Sequence, residues 1–434
     1  VKNIMRCKMI GAFIVALLLL TPLAVSADTA PRADWARDLG GNREEIFYDV
    51  IQTSDGGYAA AGMTRGMSNT EDVYVVKFSA SGDVEWEQNY GGAKVDFARS
   101  IRQTKDGGYI VGGGTRSFNV GVVDYYIIKL DSSGNIQWEK LYGSSQTDIC
   151  EAIIQTSDGG YMAAGQSWLN ILDGNAYIVK LDSSGDKEWD KSIGGGLEDG
   201  AYDIQQTSDN GYIFAGYTRS NGDGSYDMYV VKTDSSGNIK WTSDFGGNND
   251  DQAYSLVQHR DGYVVAGHSK SNSVLSNSDV YVVKLDLDGK KVWEKFYGAG
   301  DTIEEAHSIQ KTNDGGYIVV GRTNQYTYGA NDVYLLKLDS DGNEQWSQVF
   351  GGENDDYGYS IAQNSEGGFI LAGQTKSYGT GGNAYIIKTE VPASTRTTAN
   401  GAPRDIPDYG TPAVGILFSL MVLLTAGLVI RRRS

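Results

Sequence analysis

One stretch of this chain is written seven times over. Its clearest copy runs from Asp124 to Tyr161: Asp124-Tyr-Tyr-Ile-Ile-Lys-Leu-Asp131, Ser-Ser-Gly134-Asn135, Trp138, Tyr142-Gly143, Asp148, Ile153, Gln155-Thr156 and Gly159-Gly160-Tyr161. Trp35, Trp86, Trp138, Trp189, Trp241, Trp293 and Trp346 mark the copies, 51 to 53 residues apart. A period of this length built from short strands points to a β-propeller, whose units must lean on one another to cover their apolar faces.

Composition agrees. With 57 Gly and only 6 Pro in 434 residues, the chain suits one large all-β domain of short strands and Gly-rich turns. Its net charge is −18, and setting aside Lys2, Arg6, Lys8, Arg431, Arg432 and Arg433 at the ends leaves about −24 on the rest. Such a body repels phosphate backbones, which argues against nucleic acid as a partner. The acidity suits solubility outside a cell, or attraction for metal ions. Cys7 precedes an apolar leader, and Cys150 falls where other copies have Ala98, Ala201, Ala253 and Ala306. No disulfide framework is expected, and Cys150 reads as a small core residue.

Residues 1–27 read as a signal peptide: a basic start, the apolar run Met9–Leu20, and Val25-Ser26-Ala27 before the cleavage point. Residues 28–389 hold the propeller. Each period carries four strand signals: strand a (Ile-x-Gln-Thr), a Gly-rich turn, the Gly/Ala-rich strand b, a variable loop, the apolar strand c (Asp124–Leu130), and strand d around the Trp. The chain opens on a lone strand d, Asp34-Trp35-Ala36-Arg37, and its last period stops after strand c. The first strand is therefore expected to complete the seventh blade. Residues 390–410 form a polar linker, and 411–430 an uncharged twenty-residue transmembrane helix. The basic tail 431–434 marks the cytoplasmic end, leaving the propeller outside as a single-pass surface protein.

The repeat resembles the seven-bladed β-propeller repeat of secreted bacterial and archaeal surface proteins, over about 355 of 434 residues. Its Asp131…Gly134…Trp138 element is similar to the tryptophan-docking motif of quinoprotein propellers. The C-terminal anchor resembles the sorting tails of archaeal surface proteins, which implies removal of the helix and attachment of a lipid. The family implies no single activity.

Candidate chemistry is sparse. Glu45, Asp96, Asp148, Asp199, Asp251, Glu304 and Asp356 precede the strand-a Ile in every copy, in the d–a connections, and are expected to ring one mouth of the channel. Such a ring would concentrate cations, calcium foremost. Alternatively each carboxylate serves the fold by accepting backbone N–H bonds or pairing with Arg65, Arg116, Arg219, Lys270 or Lys376. The Asp or Asn that opens strand c reads as a loop-closing residue. His259 and His268 belong at opposite ends of one hairpin, roughly 16 Å apart at strand rise, and cannot share a zinc. His307 takes the slot that is Tyr48, Tyr202, Tyr254 and Tyr359 in other copies, a packed or channel-lining ring. No confident metal set and no nucleophile–His–acid constellation can be placed.

The variable b–c loops carry the exposed apolar residues: Phe118; Trp168, Leu169, Ile171 and Leu172; Tyr326 and Tyr328; and Tyr378. These are the candidate binding surface, unless the loops fold back on their own blades. The reading is a non-catalytic binding or adhesion module for an extracellular glycan or protein. The alternatives are a glycan hydrolase or lyase using channel-mouth carboxylates, and a purely structural envelope protein.

Overall fold

The computed structural model describes residues 30–41, 44–65, 70–118, 121–170, 173–222, 225–272, 277–298, 301–325, 331–379 and 381–391, the side chains of 169, 170 and 173 aside. The expected leader, linker, transmembrane helix and tail lie almost wholly outside these residues. Within them, no helix is long and apolar enough to cross a membrane.

The described strands form seven antiparallel sheets of four. Six follow the chain in the order a to d. The seventh takes Asp356–Gln363, Phe369–Thr375 and Asn383–Thr389 as a to c, then Ala33–Leu39 from the far end of the chain as d. Trp35 pairs with Lys388, Arg37 with Ile386 and Leu39 with Ala384. The a strands pack each against the next in a closed round: Glu45–Gln52, Asp96–Gln103, Asp148–Gln155, Asp199–Gln206, Asp251–His259, Glu304–Lys311, Asp356–Gln363, and back to the first. The fold is a seven-bladed β-propeller, with its axis inside this ring of a strands.

The core lies between blades rather than within them. Ala59, Ala61, Val73 and Val75 of blade 1 pack on Ile101, Tyr109 and Val111 of blade 2, and the pattern repeats around the ring. Strand c is buried almost throughout, wholly so in Asp124–Leu130, because blades cover both of its faces. Each strand-d Trp reaches across to the following blade. Trp86 meets Tyr109 edge-on, 5.8 Å between ring centres, and its indole lies over Gly134. A Cβ at Gly134 would stand 3.0 Å from that indole, and the backbone there has φ +82°, so the turn needs glycine twice over. Trp35 treats Tyr58 and Gly82 alike, so the last junction is built as the others are.

Ion pairs and hydrogen bonds explain the remaining invariants of the repeat. Lys77, Lys129, Lys180, Lys232, Lys284, Lys337 and Lys388 of strand c each reach an acid of the a–b turn, at 2.8 to 3.1 Å. The Gln that ends strand a accepts an N–H from the neighbouring blade's turn. Ser54 donates to Gln103, Lys105 to Gln155, Ser157 to Gln206, and Ser365 to Gln52 across the closure.

Candidate functional site

Every a strand carries one extra residue at the same height. The ladder slips between Phe47 and Asp49, Ala98 and Ser100, Cys150 and Ala152, Ala201 and Asp203, Ala253 and Ser255, Ala306 and Ser308, and Gly358 and Ser360. A bulge bends its strand and re-aims a side chain. The residues so released are Tyr48, Arg99, Glu151, Tyr202, Tyr254, His307 and Tyr359, and they meet one another from different blades. Ring centres are 5.2 Å apart for Tyr48 and Tyr359, 5.3 Å for Tyr359 and His307, 5.7 Å for His307 and Tyr254, and 4.9 Å for Tyr254 and Tyr202. The Arg99 guanidinium lies 4.1 Å from the Tyr48 centroid, and its Nε is 3.4 Å from Glu151. The seven side chains form a collar around the axis, near the end from which the b–c loops project.

Two local features hold this bulge. Opposite it, strand b is always Gly (Gly62, Gly113, Gly165, Gly216, Gly267, Gly321, Gly373), because a Cβ there would run into the strand-a carbonyl beside the bulge. The N–H two residues past the bulge is taken by the preceding blade at Ile101 (Asp49), Ile153 (Ser100) and Leu256 (Asp203), while the Val50 N–H is shared between Asp49 beside it at 2.9 Å and Ser360 of the preceding blade at 3.3 Å. Blade 3 has Ala152 at that place, with no oxygen to offer. Ile204 turns instead to the carboxylate of Asp203 beside it, at 2.8 Å.

The collar is chemically lopsided. On one side Gln166 donates to Glu151 at 3.2 Å, and Tyr217 donates to Gln166 at 2.9 Å. Burial pushes the Glu151 carboxyl up, against the pull of Arg99. On the other side burial also opposes ionisation of Glu305. There the His307 and Arg322 donors win, and they hold its carboxyl well below the usual carboxylate range. Tyr254 donates to Gln252 at 3.0 Å and stacks on the buried His268, whose pKa burial lowers.

The acidic ring lies elsewhere than expected. Glu45, Asp96, Asp148, Asp199, Asp251, Glu304 and Asp356 each begin strand a instead of standing in the loop before it, and all are buried. They face the blade junctions rather than the open channel. Asp96 accepts the Gly92 N–H (2.8 Å) and the Ser117 hydroxyl (2.6 Å), and Asp199, Asp251 and Asp356 are held in the same way. The expected pairing with basic residues is corrected by one position. Arg65, Arg219, Lys270 and Lys376 pair with Glu44, Glu198, Asp250 and Asp355, the residues just before the ring. Alternation along the strand puts those neighbours, and not the ring acids, on the face of the bases.

Of the loop candidates, Phe118 is 45% exposed, with its ring 5.9 Å from Tyr126. Trp168 is half-buried and belongs to an extended hairpin in place of the expected free loop, its indole over Gly174 and its backbone N–H donated to the Thr147 carbonyl. Tyr378 donates to the Gly351 carbonyl at 3.2 Å and packs on Tyr385. The Leu169 side chain and Ile171, Leu172, Tyr326 and Tyr328 lie outside the described residues. His259 pairs with Asp261 at the far end of the hairpin from His268. Among the described residues, no group of three or more His, Cys, Asp or Glu is arranged to hold a metal.

Sequence reasoning found five of the seven collar positions as one slot and passed over Arg99 and Glu151. Their signal was positional: both stand three residues after the ring acid, as the tyrosines do.

No protein-family model and no curated protein matches the chain. Solved structures do. The Neurospora crassa Pan2 WD40 domain is similar at 15% identity and TM-score 0.51, over 80% of this chain and 89% of that one. A puromycin hydrolase S511A mutant complexed with PGG matches at 10% identity and TM-score 0.50, over 77% of this chain and 51% of that one. At such identities the likeness is one of fold.

Proposed function

We propose that this protein is a non-catalytic binding or adhesion module that takes an extracellular glycan or protein ligand at the channel mouth, on the face of the b–c loops. One observation carries the reading. In a repeat that keeps its structural residues nearly constant, the bulge slot holds four Tyr, one Arg, one Glu and one His. Nothing in the sheet asks for that variety. Aromatic faces beside an Arg–Glu pair suit a ligand that stacks and hydrogen-bonds at once. The exposed Phe118 stands on the same face.

The test is binding of the protein to arrayed glycans, peptides and cell-wall fractions, repeated with Arg99→Ala and Tyr254→Ala. Saturable binding lost in both variants, with melting curves near the parent's, supports the module. Unchanged binding in both moves the site elsewhere. A hydrolase or lyase is the second reading, favoured by Glu151 and Glu305, two channel carboxyls whose environments drive them in opposite directions. It requires turnover that Glu151→Gln abolishes. Absence of both binding and turnover leaves the structural envelope role.

The surface location and the membrane-held C-terminal helix, with or without lipid processing, belong to the same proposal. The charge-free run 411–430 and the arginines after it support them. Membrane fractionation of the full chain against one lacking 411–434, with the mass of the mature C-terminus, tests both.

A further inference from the structure

At six of the seven blade junctions two acidic or amide side chains converge on one glycine (Gly40, Gly143, Gly194, Gly246, Gly298 and Gly351): the acid that begins strand a, and the Asp or Asn that opens strand c of the preceding blade. Gly351 is flanked by Asp332 and Asp356, and a Cβ there would strike both carboxylates. Both residues are buried, and each has an Oδ1 with no hydrogen-bond partner among the described residues. Two facing carboxylates cannot both remain charged in such a place without a proton or a cation between them.

We infer that Asp332 and Asp356 share one proton, which makes the junction of blades 6 and 7 a pH-sensitive seam. The repeat supplies its own control. At two junctions the strand-c residue is an amide, Asn175 against Asp199 over Gly194 and Asn383 against Glu45 over Gly40. An amide carries no charge, so these two junctions hold no like-charge pair; its oxygen faces the acid, and the Asn383 amide donates to Asp38 instead. A cation fits less well, because calcium asks for six to eight oxygens. Here the Gly352 N–H and the Ser377 hydroxyl already aim donors at Asp356, at 2.9 and 2.6 Å. The other groups facing the pair do not neutralise it. Asp355 adds negative charge and is itself engaged by Asn331 and Lys376, while Tyr378 and Tyr385 stay neutral. Burial and the Asp356 charge push the Asp332 carboxyl up to about 7.

The sign follows from linkage. A carboxyl that keeps its proton longer in the folded state costs stability as pH rises from about 4 towards 7, and no further above that. The test is the melting temperature of the full chain against that of Asp332→Asn and, separately, Asp356→Asn, from pH 4.5 to 8.5, with calcium and with chelator. The expected result is a parent that falls behind both variants by several degrees as pH rises, with calcium changing nothing. Curves that stay parallel across the range overturn the shared proton. So does calcium that stabilises the parent at pH 8 and leaves Asp332→Asn unmoved, which would assign the seam to a metal.

Discussion

The indole of Trp35 meets the ring of Tyr58 edge-on, 5.9 Å between centres, joining the first strand of the chain to the blade that follows it. Trp35 also covers Gly82, so the first strand completes blade 7 and seals it against blade 1. Trp35 is half-buried, so Trp35→Ala is expected to cost about 2–3 kcal/mol, below the range of a fully buried aromatic. Deleting residues 30–41 should abolish the single cooperative transition. Calorimetry decides: an unchanged melting profile would mean the ring is closed by something else.

Gly113 offers the sharpest test of the bulge. A methyl group there meets the Phe97 carbonyl and the Ala98 Cα. Because the obstacle is backbone, Gly113→Ala should cost on the order of 3 kcal/mol, well beyond an ordinary exposed strand glycine. Urea titration of the variant reads this directly. A loss of under about 0.5 kcal/mol would show that the bulge can relax.

Acid should unpick the lysine-bearing turns. Burial is the largest single influence on Asp55, Asp106, Asp158 and Asp209 and opposes their ionisation, but the Thr hydroxyls, the buried Lys and a Gly N–H together outweigh it and hold each carboxyl at about 2. Their contribution is complete above the unfolded pKa of about 3.9 and disappears as pH falls through about 2. Asp106→Asn should therefore melt lower than the parent at neutral pH, and the gap should close as pH approaches about 2. A gap independent of pH would assign the loss to packing instead.

Phe118 and Trp168 should part company. Phe118→Ala should leave stability within about 0.5 kcal/mol, whereas Trp168→Ala, which uncovers Gly174 and its hairpin, should cost about 1–2 kcal/mol. Paired thermal melts settle it. Equal and negligible losses would return Trp168 to the exposed contact surface.

Blade number, strand order and closure could all be read from the sequence, because Trp35 stands one period before Trp86 while no eighth tryptophan follows Trp346 within the repeat. The direction of the acidic ring could not. Asp96 and Phe97 are adjacent, and simple alternation gives one of them to the channel and the other to the junction without saying which. The bulge at Arg99 then breaks that alternation. Its only trace in the sequence is the opposing Gly113, which reads equally well as a small residue near a crowded axis. Arg99 and Glu151 share only their position with the tyrosines and none of their chemistry, so the slot is not legible at those two copies. Trp168 looked like loop because the hairpin that carries it is longer than its counterparts in other blades.

The bulge has a consequence for how such a protein can change. A residue left out of the ladder contributes little to holding its strand, so mutation can rewrite it at small structural cost. Seven such places converge on one axis, each supplied by a separate copy of the repeat. Drift and selection could alter them one by one, giving new specificities while the scaffold around them stays as it is.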